Sequence, residues 1–165
     1  MLKRSVGFVL MLSIGLLFSC KDKKDKNGEE NDFNKGEMLG NVSTNIILPA
    51  LDQFNDEING LKSSFVNLKN APTQANLDEV KMFWKSSYLT WQTLKIFDFG
   101  PIRDIGFKSA TGTYPVDPSK IQANISNGAY NLASVSNLDA IGLNALDYLL
   151  YNSDALVEFQ NNSAY

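Results

Sequence analysis

The sequence predicts an all-α fold, a helix bundle, and three observations carry that prediction. From about residue 36 onward, apolar residues recur at intervals of three and four through most of the chain. No segment alternates apolar and polar residues long enough to read as a strand. Asn, Thr, Asp, Gly and Pro punctuate the periodic stretches at places where helices start and stop.

The N-terminus stands apart from the fold. Lys3 and Arg4 precede the apolar run "VGFVLMLSIGLLF", short for a membrane span and the right length for a secretory signal over residues 1–19. The run closes on "LLFSC", where small Ser19 precedes Cys20, the sole cysteine. That arrangement resembles the lipobox of bacterial lipoproteins, and it implies an acylated Cys20, an anchor to the membrane and a place in the cell envelope. Residues 20–35, "CKDKKDKNGEENDFNK", hold too little apolar surface to fold and read as a disordered charged tether. Loss of the signal removes Lys3 and Arg4 but no acid. That leaves 13 of the 15 basic residues against 18 acidic ones, a net charge of −5. An acidic chain without a basic face gives no support to nucleic-acid binding.

The folded part begins with a long amphipathic helix whose stripe runs Leu39, Val42, Ile46, Ala50, Phe54, Ile58, Leu61, Phe65 and Leu68. Pro49 lies inside it, so a kink or break is expected near residues 45–49. A second helix starts after Thr73 or Asn76, with Glu79 three residues past Asn76 as in a capping box. Its stripe is Leu77, Val80, Trp84, Ser87, Trp91 and Leu94, and Gly100-Pro101 stops it. Residues 100–117, rich in Gly and Pro, read as a long irregular connection. Asp117-Pro118 opens a short helix that Gly128 closes. The stretch from Asn131 to Asn152 reads as helical, with Ile141, Leu143, Leu146 and Leu150 as its apolar face. A further helix begins near the end of the sequence, so residues 36–165 are expected to be the front part of a longer domain.

Two regions invite a functional reading. Long connections in compact domains are usually functional, which singles out Asp98, Arg103, Asp104 and Tyr114. In "IGLNALDYLLYN", Gly142, Asn144 and Asp147 form a Gly-x-Asn-x-x-Asp spacing, and the last two lie one turn apart on a helix. The structural readings are plain as well: the tryptophans as core, the aspartates as caps, Tyr114 before Pro115 as a packed anchor. Asp147 on an apolar segment is expected to be buried and to need a donor, with Lys95, Arg103, Tyr114 or loop amides as candidates.

The line "FWKSSYLTWQTLKIFDFGP", then "TYPVD", then "GLNALDYLLYN" resembles the imelysin-like family in order and spacing. The resemblance rests on Trp84, Trp91, Phe99, Gly100 and Pro101, then Tyr114 and Pro115, then Gly142. It implies the first half of an all-helical domain made of two bundles. It also implies a family of bacterial envelope proteins that includes insulin-cleaving metallopeptidases and periplasmic iron-uptake components. The family signature is Gly-x-His-x-x-Glu, but here Asn144 replaces the histidine and Asp147 the glutamate. A glutamate that the family often places before its Phe-x-Phe-Gly-Pro element aligns with Lys95.

Neutral imidazole binds iron or zinc strongly, an asparagine amide poorly, and the chain has no histidine. The expectation is therefore a non-catalytic envelope protein that binds a metal, iron or another divalent cation, or a small molecule. A periplasmic iron-uptake component is the alternative, in which Asp98, Asp104, Asp139 and Asp147 serve Fe(III). A metallopeptidase fits less well, because it needs an activated water and three good protein ligands.

Overall fold

The computed structural model describes residues 33–128 and 130–161. The expected signal, Cys20 and nearly all of the tether lie outside the described residues. What is described is helical, with no strand among the described residues.

Helix α1, Lys35–Val42, runs through a π-helical turn, Ser43–Ile47, into α2, Leu48–Asn70. Pro49 explains the turn. It has no N–H to give, and its ring would meet the carbonyl of Asn45 in a regular helix. The backbone widens instead, and the Leu48 N–H donates to Ser43 O, five residues back. The interruption expected at residues 45–49 is thus a widened turn within a continuous helix.

Helix α3, Gln74–Leu94, returns alongside α2 after a three-residue connection. Its cap is Thr73, whose hydroxyl accepts from the Asn76 N–H at 3.3 Å. The capping box imagined at Asn76 does not form. The Asn76 amide instead donates to Ala71 O at 2.6 Å and serves the exposed carbonyl end of α2. A polar seam joins the two helices: Glu57 Oε1 accepts from Ser86 Oγ at 2.9 Å, and Gln53 Nε2 reaches Thr90 Oγ1 at 3.3 Å.

The connection expected to be irregular is partly helical. Gly100, at φ 58°, leads into α4, Pro101–Asp104, and Gly106, at φ 67°, leads into α5, Phe107–Gly112. Helices of one or two turns are too short to show a periodic stripe, so they were invisible to pattern reading. Helix α6, Pro118–Asn127, has the predicted ends: Asp117 Oδ1 accepts from Lys120 N at 3.1 Å, and Gly128 closes it at φ 62°.

The last stretch is broken where one helix was expected. A 3-10 turn, Val135–Ala140, precedes an extended Ile141, and α7, Gly142–Leu150, starts only afterwards. Helix α8, Ala155–Asn161, follows and ties back to the α2–α3 connection, where Gln160 Nε2 donates to Pro72 O at 3.0 Å. The core joins Leu61 and Leu68 of α2, Leu77, Val80 and Trp91 of α3, Leu143 and Leu150 of α7, and Ala155. No helix among the described residues is long and apolar enough to cross a membrane.

Leu150 is fully buried at the meeting of these helices. Leu150→Ala should cost about 3 kcal/mol, from lost transfer free energy and the cavity left behind. Urea unfolding followed by circular dichroism measures it, and a loss below about 1 kcal/mol would place Leu150 outside the core.

Candidate functional site

The Gly-x-Asn-x-x-Asp stretch forms the first turns of α7, and its members face different neighbours. Gly142 sits at φ 79°, and a Cβ there would stand 2.4 Å from the Thr111 carbonyl oxygen. Helix α5 therefore ends directly against the glycine. The carbonyl of Leu143 accepts the indole N–H of Trp84 at 2.8 Å. Asn144, half-buried, donates from Nδ2 to the carbonyl of Thr113 at 3.0 Å. One turn of α7 is thereby tied to α3 and to the exit of α5.

Asp147 corrects the expectation of a buried, partnered carboxylate. The residue is exposed, and among the described residues neither an ion pair nor a hydrogen bond holds its carboxylate. The proposed donors are elsewhere: Arg103 lies 3.8 Å from Asp104, Lys95 sits over Trp91, and Tyr114 is 85% exposed. Asp147 lies on the same side of α7 as Leu143 and Leu150, four residues after one and three before the other, so its exposure means that this edge of the helix is left uncovered at position 147. Partial desolvation still raises the Asp147 carboxyl above its ordinary value. Burial, and then the charge of Asp147, raise the Tyr151 phenol one turn later.

Asn144 does share a concavity with four other residues singled out in the sequence, Trp91, Lys95, Asp98 and Tyr114. Lys95, Asp98 and Asn144 line a cleft of about 870 Å³, together with Tyr88, Trp91, Lys108 and Tyr114. Trp91, 3% exposed, packs its ring against Gly112, where a Cβ would fall 2.4 Å from Cη2. The Lys95 ammonium lies 5.2 Å from the centre of the Trp91 ring. Lys108 Nζ stands 3.7 Å from Asp98 Oδ2. Tyr88 stacks between the tryptophans, 5.4 Å from the Trp84 ring and 5.7 Å from that of Trp91. Tyr88 was legible in the sequence, being four residues after Trp84 and three before Trp91. Lys108 gave no signal, because the short helix that carries it gave none.

The other candidates are structural or outlying. Asp104 pairs with Arg103 on the surface, and Phe99 is exposed with its ring edge to Phe97. Gly100 and Pro101 shape the entry to α4, and Pro115 follows Tyr114 through a cis bond. Asp139 accepts from the Lys120 ammonium at 2.6 and 2.7 Å, and its carbonyl accepts from Asp117 N, which binds the 3-10 turn to α6. The four aspartates thus lie at separate places. Among the described residues, no three His, Cys, Asp or Glu side chains come together where one ion could be shared. These donors do not fit the metal ion that the resemblance implies.

Over residues 47–165 the chain matches the family described as Imelysin. The chain belongs to the imelysin family. A segment of 57 residues is 33% identical to Iron-regulated protein A of Synechococcus elongatus, covering 34% of this imelysin and 16% of that protein. No solved structure matches it. In this imelysin Gly142 and Asn144 build the start of α7 into the fold, while Asp147 faces solvent.

Two substitutions test that description. Gly142→Ala forces a left-handed conformation on a Cβ that meets backbone, and should cost about 2 kcal/mol or more. Gly128→Ala, left-handed but in open space, should cost about 1 kcal/mol, so equal losses would contradict the close approach of α5. For Asp147, a raised folded-state pKa means that the protonated form favours folding. Its contribution is present below the ordinary value of 3.8 and is lost as pH rises through the folded pKa. Asp147→Asn should therefore melt slightly above the natural protein at neutral pH, and the gain should vanish toward about pH 3. A lowered melting temperature at neutral pH would reveal a stabilising partner for the carboxylate.

Proposed function

We propose that this imelysin is a lipid-anchored, non-catalytic binding protein of the bacterial cell envelope that serves iron acquisition. The observation that carries the reading is Asn144. It stands at the family's histidine position, lines the cleft, and spends its amide N–H on the Thr113 carbonyl. A zinc peptidase needs three strong ligands and a bound water whose proton is easily lost. Asn144 and Lys95 at the family's ligand positions supply an amide and an ammonium, neither of which activates a water in that way.

The connection to iron draws on the relative named Iron-regulated protein A, and the anchor on the "LLFSC" sequence at Cys20. In this reading the folded part is tethered at the membrane surface and the cleft receives a ligand from the periplasm or the cell exterior.

Mass spectrometry of the mature N-terminus should find Cys20 acylated, and Cys20→Ala should move the protein from the membrane to the soluble fraction. Calorimetric titration with zinc or ferrous iron should give at most weak heats, and peptide hydrolysis should not exceed the metal-free background. Tight stoichiometric zinc binding that Asp147→Ala abolishes would overturn the non-catalytic reading.

A further inference from the structure

We infer that the cleft between α3 and α5 holds a small polycarboxylate anion, with Lys95 as its principal charged contact; this rests on the binding role proposed above. The first argument is charge. The chain is acidic overall, net −3, yet the cleft presents two ammonium groups against one carboxylate. Asp98 offsets Lys108 at 3.7 Å, a separation longer than a strong hydrogen bond, so Lys108 keeps donors to spare. Lys95 has no carboxylate partner among the described residues. Its ammonium is held over the Trp91 ring at 5.2 Å, which positions the charge without neutralising it.

The second argument is the kind of polar group on offer. Tyr88, Tyr114 and the two lysines bring O–H and N–H donors to the walls. Cationic and neutral donors spread over two helices suit an anion whose charge is spread over several carboxylates better than a compact one. The volume, about 870 Å³, lies in the range of small-ligand sites.

The same chemistry could arrive as a free polycarboxylate or as its Fe(III) chelate. Titration calorimetry on the full chain, with citrate, ferric citrate and inorganic phosphate as probes, separates them. Citrate or ferric citrate should bind, with affinity falling as salt is added. Lys95→Gln should weaken binding about tenfold, and Lys95→Glu should abolish it, while the thermal melt of Lys95→Gln shows that the fold is kept. If citrate binds and ferric citrate does not, the anion site stands and the link to iron falls. If neither binds, if Lys95→Glu binds as well as the natural protein, or if phosphate matches citrate, the inference is overturned.

Discussion

The arrangement of this protein depends on one turn of backbone, the start of α7. Gly142 lets the end of α5 approach to a distance that any side chain would forbid. The next carbonyl takes the Trp84 indole from α3, and the next side chain takes the Thr113 carbonyl. Three consecutive residues thus fix α7 to α3 and to the end of α5, with two hydrogen bonds and one close approach. The cleft exists because α3 and the exit of α5 are held apart and aligned by this turn. Gly142 and Asn144 thus have an architectural duty here.

That duty explains the distribution of charge. Where a metal site would gather carboxylates, this chain disperses them: Asp139 onto Lys120, Asp104 onto Arg103, Asp98 onto Lys108, and Asp147 toward solvent. Each pairing is local and surface-exposed or partly so, and exposed pairs contribute little to stability. The cationic character of the cleft is then a residue of this dispersal, with Lys95 remaining after the acids have been matched elsewhere. Its aromatic floor supplies the orientation that a single flexible lysine would otherwise lack.

Helices of three or more turns were legible, because repeated burial of one face leaves a periodic trace. The caps at Thr73 and Asp117 and the stop at Gly128 were legible too, because each answers a local need of the backbone. Helices α4 and α5 left no trace, since so few residues cannot complete a stripe. The break at Ile141 was hidden because an extended apolar residue looks the same in sequence as a helical one. Asp147 resisted sequence reading for another reason: it shares the side of α7 that buries Leu143 and Leu150, and periodicity shows which side is apolar but not where along the helix that side stays covered. The grouping of Asn144 with Lys95 depended on the path of α5, which no spacing along the chain encodes.

The widened turn at Ser43–Ile47 acts as a phase slip. One extra residue in a helical turn rotates everything before it by about 100° relative to everything after it. Leu39 and Phe54 belong to a single regular series in the sequence, yet Leu39 is 61% exposed while Phe54 packs against the core. The rotation follows from the geometry of the turn and not from Leu39's exposure, since α1 buries none of its residues on any side. Adding or removing a residue there would act less as a change of length than as a twist, re-aiming α1 while leaving α2 in register.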